Sequence, residues 1–144
     1  MSRPLLVKDL MTGAVISLAL GDSLADAERT MREAKVRHLP VIDATGRLVG
    51  LVTKRTVLAA WVGHGDPTRE RHEDVARDVP IEMIMERDVV TIGPEARAAD
   101  AARILEERRF GALPVVDAGG RLLGLLTESD FVQFARIYLE RAGG

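Results

Sequence analysis

Leu39-Pro40-Val41-Ile42-Asp43-Ala44-Thr45-Gly46-Arg47-Leu48-Val49-Gly50-Leu51-Val52-Thr53 returns 74 positions later as Leu113-Pro114-Val115-Val116-Asp117-Ala118-Gly119-Gly120-Arg121-Leu122-Leu123-Gly124-Leu125-Leu126-Thr127. Pro, Asp, Gly, Arg and Thr keep register together, which two unrelated apolar stretches would not do. The match runs without a gap from residues 7–60 onto residues 81–134. The chain is therefore a duplication, and a period this long marks a repeated supersecondary unit. We divide it into a first repeat (1–62), a linker (63–79) and a second repeat (80–144). Within the linker, Gly63-His64-Gly65-Asp66-Pro67 and the charges that follow read as surface chain.

Each repeat reads outward from the quoted stretch in the same way. Asp43-Ala44-Thr45-Gly46 and Asp117-Ala118-Gly119-Gly120 carry turn chemistry between two apolar runs, so both are expected to be hairpins. A helix precedes each hairpin. Leu24, Ala27, Met31 and Ala34 share one face in the first, and Ala98, Ala101, Ala102 and Leu105 in the second. Ser23 is placed to cap the first helix, with Asp26 three residues on. Short strands are expected before these helices, at residues 15–18 and 89–92, and closing helices after Thr53 and Thr127. The unit is β-α-β-β-α, a mixed α/β (α+β) fold. One copy is too small to bury much of its surface. Two copies related by a pseudo-twofold axis, with their sheets packed together, would solve that.

Composition narrows the chemistry. The chain has 144 residues, 47% hydrophobic and 29% charged, which is ordinary for a globular protein. Lys and Arg number 20 against 22 Asp and Glu, so the basic excess of a phosphate-backbone binder is missing. Aromatic residues are 3%, too few for base-stacking platforms, and no nucleic-acid partner is expected. Without cysteine there is no disulfide, thiolate metal site or cysteine nucleophile. The apolar runs near Leu113 and Leu122 fall far short of a membrane span, and a cytoplasmic protein is expected. His64, His72, Asp66, Glu73 and Asp74 match no standard metal spacing, so no metal site is assigned. No phosphate-binding glycine loop and no nucleophile–base order is visible, so no catalytic residue is assigned and no enzyme is expected. Met11, Met83 and Met85 flank the repeat starts and read as packing residues.

The tandem β-α-β-β-α unit, with Leu-Pro-Val-x-Asp and then Gly-hydrophobic-hydrophobic-Thr-x-x-Asp, resembles a pair of cystathionine-β-synthase-type (CBS) domains, or Bateman module. The resemblance covers residues 7–138. Gly124-Leu125-Leu126-Thr127-Glu128-Ser129-Asp130 fits the family's ligand motif throughout; Gly50-Leu51-Val52-Thr53-Lys54-Arg55-Thr56 departs from it at its last position. The resemblance implies clefts between the repeats that bind adenosine-containing ligands: AMP, ADP, ATP or S-adenosylmethionine. No cofactor is required, and signalling to an unidentified protein target is implied; the missing aspartate at Thr56 leaves a ligand-independent structural, oligomerisation or protein-interaction module as the alternative.

Physical chemistry allows two readings of Thr127 and Asp130. The N-terminus of a helix presents unpaired N–H groups and a positive dipole end, which suit a phosphate. Thr127 and Ser129 would line it, and Asp130 would accept hydrogen bonds from a ribose diol. Alternatively, Thr-x-x-Asp merely caps the helix. By resemblance, the Asp130 cleft takes its base-binding wall from Ile16, Arg37, His38 and Pro40, with Arg55 reaching the phosphates. For Arg37 and Arg55 a solvated surface role stands beside that one, for His38 a structural histidine, and for Ile16 a core residue. The second cleft, expected to be weaker, would use Thr53, Thr56, Val90, Ala112 and Pro114. Thr56 offers a ribose one hydrogen bond where an aspartate would offer a charged grip. Phe131, Phe134, Ala135 and Tyr138 give the last helix more apolar surface than a lone exposed helix should carry. A homodimer is expected from this, with burial against the other repeat as the alternative.

Overall fold

The computed structural model describes residues 3–62 and 68–143. In chain order the elements are α1 (Val7–Leu10), β1 (Leu18–Ala19), α2 (Leu24–Ala34), β2 (His38–Ile42), β3 (Leu48–Thr53), α3 (Lys54–Val62), α4 (Arg69–Arg77), α5 (Ile81–Ile84), α6 (Ala98–Arg108), β4 (Ala112–Val116), β5 (Leu122–Thr127) and α7 (Glu128–Arg141). The mixed α/β fold class is borne out. These elements form two compact units, residues 16–89 and residues 1–15 with 90–144.

In the unit of residues 16–89, β2 and β3 form the expected antiparallel hairpin, with His38 opposite Thr53 and Val41 opposite Gly50. The Asp43 carboxylate makes the turn. Its Oδ1 accepts from the Thr45 N–H at 2.9 Å, the Thr45 hydroxyl at 2.6 Å and the Arg47 N–H at 3.1 Å. Gly46 closes the turn at φ +85, a conformation an L side chain resists. β1 pairs parallel to β2, Leu18 with Val41, and the Leu20 N–H extends the pairing to the Ile42 carbonyl at 3.0 Å. Helix α2 covers the sheet with Leu24, Ala27 and Met31, which bury against Leu39, Val41 and Val52. Burying each such Leu or Val side chain contributes about 1.5–3 kcal/mol. Ser23 caps α2 as expected: the Asp26 N–H donates to the Ser23 hydroxyl at 3.3 Å, and the Ser23 N–H donates to the Asp26 carboxylate at 2.9 Å.

The other unit repeats this plan with losses. β4 and β5 form the second hairpin, and Gly120 again sits at φ +85. Asp117 holds that turn through the Gly119 and Arg121 N–H groups, both at 2.9 Å. The strand expected at residues 89–92 is reduced to one bridge, Ile92 with Val115. The cause is legible at a single position. Leu20, whose N–H extends β1, corresponds to Pro94, which has no N–H to give.

Two further expectations are corrected. Of the segment read as a surface linker, residues 63–67 lie outside the described residues, and the remainder contains α4, with Ala76 and Val79 buried in the core of its unit. His72, Val75, Ala76 and Val79 follow helical spacing and were hidden by the charges between them. His64 and Asp66 lie outside the described residues, while His72 stacks on Trp61 with ring centroids 3.9 Å apart and meets Glu28 at 3.1 Å. Met83, expected to pack, is 78% exposed. Met11 and Met85 do pack, each over a glycine. A Cβ on Gly124 would lie 2.6 Å from the Met11 sulfur and 2.9 Å from the Thr12 carbonyl oxygen. On Gly50 it would lie 2.5 Å from the Met85 sulfur and 3.0 Å from the Glu86 carbonyl oxygen.

These Met–Gly contacts show how the units are assembled. The segment leading into the first repeat docks on the strands of the second: Thr12 and Leu125 exchange backbone hydrogen bonds at 2.9 and 3.0 Å. Val7 of α1 is fully buried beside Ala101, Leu113, Val115 and Leu126. The segment leading into the second repeat docks on the first in the same register, Leu51 and Glu86 exchanging bonds at 2.9 Å each.

Candidate functional site

Thr127 ends β5 and precedes α7, so its chain leaves the sheet just where the first turn of helix exposes unpaired N–H groups. Asp130 lies one turn in. Its Oδ2 accepts from the Thr127 N–H at 2.8 Å and lies 3.4 Å from the Thr127 hydroxyl. Its Oδ1 lies 3.4 Å from the hydroxyl of Thr12, carried there by the docked N-terminal segment. Capping is therefore real, and it does not exhaust the group. A carboxylate has about four lone-pair sites; one carries a short bond here, and the two 3.4 Å contacts are long for hydroxyl donors. Asp130 is half-buried and Ser129 exposed. Thr12 is a member of this group that sequence reading missed, because only the docking of a distant segment brings it there.

The corresponding turn at α3 is built differently. The Thr53 N–H donates to the Thr56 hydroxyl at 2.7 Å, the Thr56 hydroxyl donates to the Thr53 carbonyl at 2.8 Å, and the Thr56 N–H donates to the Thr53 hydroxyl at 3.2 Å. The expected ribose bond from Thr56 meets a difficulty here: its single proton is already committed to the backbone.

The remaining residues divide by unit. In the unit of residues 16–89, Ile16 is 45% exposed, Arg37 and Arg55 are exposed, and neither arginine makes an ion pair with a described residue. His38 is half-buried at the start of β2, opposite Thr53, and the Arg37 carbonyl accepts the Lys54 N–H at 3.0 Å. Arg37, His38, Thr53 and Lys54 are thereby neighbours at one end of the hairpin. Pro40 is buried. In the other unit Ala112 pairs with Thr127, Val90 packs against the core, and Pro114 is buried with its carbonyl accepting the Ile92 N–H at 3.1 Å. Buried proline rings can give a ligand only backbone contacts.

Helix α7 has no buried residue. Val132, Tyr138 and Leu139 are 67%, 64% and 59% exposed, and Phe134 stacks on Tyr138 at 6.3 Å. No helix among the described residues is long and apolar enough to cross a membrane.

Comparison with known proteins agrees with this construction. A CBS domain-containing protein of Dictyostelium discoideum is 31% identical over 138 residues, covering 94% of each chain. The homoserine O-acetyltransferase of Methanococcoides burtonii is 34% identical over 129 residues, but the match spans only 23% of that enzyme. Among solved structures, CBSX2 in complex with AMP superposes with a TM-score of 0.79 at 31% identity, covering 93% of this chain and 98% of that one. The CBS domain pair of protein MJ0100, in complex with 5-methylthioadenosine and S-adenosyl-L-methionine, gives a TM-score of 0.75 at 26% identity, over 90% and 98% of the two chains. The CBS domain family matches residues 7–63 and again 76–136, and the chain belongs to that family.

Proposed function

We propose that this chain is a non-catalytic regulatory module that binds an adenosine-containing ligand (AMP, ADP, ATP or S-adenosylmethionine) through Thr127, Ser129 and Asp130. The observation that carries the reading is the free capacity of Asp130: one oxygen caps α7 while the other meets only a 3.4 Å contact, beside helix N–H groups suited to phosphate. Relatives crystallised with AMP and with S-adenosyl-L-methionine support the ligand class. Ile16, Arg37, His38, Pro40 and Arg55 are proposed to complete this site, on the family resemblance. Thr53, Thr56, Val90, Ala112 and Pro114 are proposed for a second, weaker one. Ligand would act on a protein target in the cytoplasm by its differential affinity for two states of the module. The exposed apolar residues of α7 support self-association with a second copy of the chain.

Calorimetry with AMP, ATP and S-adenosylmethionine tests this on the wild type, Asp130→Asn and Asp130→Ala. The Asn variant keeps an acceptor for the Thr127 N–H, so it separates capping from ligand binding. A lost charged hydrogen bond is worth about 1.5–3 kcal/mol, or roughly 10–100-fold in affinity, in both variants. A wild type that binds none of the three, or variants that bind as well as it does, would overturn the proposal. Sedimentation of the same samples should give a dimer.

A further inference from the structure

Two positions have traded residue types between the units. Asp130 of α7 stands beside Thr12, on the segment docked against β5. By the 74-residue repeat, the position of Asp130 is taken in α3 by Thr56, and that of Thr12 by Glu86. A carboxylate on the helix and a hydroxyl on the docked segment have become a hydroxyl on the helix and a carboxylate on the docked segment.

The backbone makes the exchange meaningful. Thr12 pairs antiparallel with Leu125, two residues before Thr127, and Glu86 pairs antiparallel with Leu51, two residues before Thr53. Both bridges are doubly hydrogen-bonded at 2.9–3.0 Å. The register is identical, so residue 86 holds on the strand beside α3 the backbone position that Thr12 holds beside Asp130. Glu86 is exposed and its carboxylate meets no hydrogen-bonding or ionic partner among the described residues. Thr56, by contrast, has spent its proton on the Thr53 carbonyl. The motif at residues 53–56 thus lacks a free strong acceptor of its own, while the docked segment carries a carboxylate on the residue that pairs with Leu51.

We propose that Glu86 is the acidic ligand-binding residue of the second motif, accepting hydrogen bonds from the sugar diol of an adenine nucleoside held at Thr53. This rests on the proposed adenosine binding and extends it to a residue outside the Thr-x-x-Asp motif. An ionised carboxylate, which only accepts, suits two vicinal hydroxyls.

The experiment uses the full chain and two probes, adenosine and 2′-deoxyadenosine, by calorimetry. Asp130→Asn weakens the first motif and leaves a residual adenosine site. Adding Glu86→Gln should weaken that residual site at least tenfold and erase its preference for adenosine over the deoxy probe. Because Glu86 is exposed, the fold should not change. The exchange should also work in reverse: Thr12→Glu on an Asp130→Thr background should recover the affinity that Asp130→Thr loses. Residual binding within twofold of Asp130→Asn after Glu86→Gln overturns the assignment. So does complete loss of binding in Asp130→Asn, which leaves the Asp130 site standing and the second motif empty. A wild type that binds neither probe overturns the Glu86 assignment, whereas the reading of Asp130 falls only if AMP, ATP and S-adenosylmethionine also fail to bind.

Discussion

The two closing helices begin with the same fold of chain and different chemistry. At α7 an aspartate reaches back to the N-cap N–H at 2.8 Å; at α3 a threonine does the same at 2.7 Å. As caps they are near equivalents. As ligand groups they are not, since the aspartate keeps lone pairs in reserve and the threonine has committed its proton. Duplication preserved what folding needs at this turn and let the rest diverge. The same contrast holds at the other helices: Ser23 caps α2, while the corresponding Arg97 gives α6 no side-chain cap.

The largest effect should come where the units agree. Gly50 and Gly124 each accept a methionine and a carbonyl into the space a side chain would fill. Gly50→Ala and Gly124→Ala should each destabilise by about 1–3 kcal/mol, the usual range for overpacking. Urea unfolding measures this, and hydrogen exchange should show the Leu51 or Leu125 amide deprotected in the matching variant. Loss in one unit and none in the other would show that the docked segments are held differently.

A middle effect should come where the units differ. The Ser23 N–H, above all, holds the Asp26 carboxyl below the ordinary carboxylate range, with Arg29 helping at 2.6 Å. A depressed folded-state pKa means stability that is present above the unfolded value, about 3.9, and lost as pH falls through the folded one. Ser23→Ala should lower stability by about 1 kcal/mol at neutral pH. Asp26→Asn should flatten the loss of stability below about pH 4. Arg97→Ser, with Asp100 already three residues on, should gain up to about 1 kcal/mol by giving α6 the cap that α2 has. Thermal unfolding from pH 3 to pH 7 reads all three. An unchanged Arg97→Ser would mean that the cap difference carries no stability.

Much of this was legible in the sequence because it is local. Asp-x-x-Gly made both hairpins readable, and Ser23 with Asp26 made one helix start readable. The rest required contacts far apart in the chain. Pro94 cancels a strand through a donor that only the sheet reveals as missing. The Met11–Gly124 and Met85–Gly50 contacts join segments more than thirty residues apart, so the docking that brings Thr12 to Asp130 left no local trace. Helix α4 was the exception: its apolar spacing was present and was outweighed by its charges.

The smallest effect lies where the repeats share a strain. Helices α2 and α6 both end in a non-glycine residue in the left-handed region, Lys35 at φ 57 and Arg109 at φ 54, which are equivalent positions. That conformation costs an L residue roughly 1–2 kcal/mol, and helices commonly place glycine there. Glycine relieves the strain but gives back about 0.5–1 kcal/mol through the entropy of the unfolded chain. Lys35→Gly and Arg109→Gly should therefore each gain about 0.5–1 kcal/mol, with equal gains because the geometry is equal. Each loses a cation from a helix C-terminus, which trims the gain by some tenths of a kcal/mol and by less at high salt. Guanidinium unfolding at two salt concentrations would resolve this. A loss in place of a gain, at either position, would mean that the basic side chain holds something there that its mate does not.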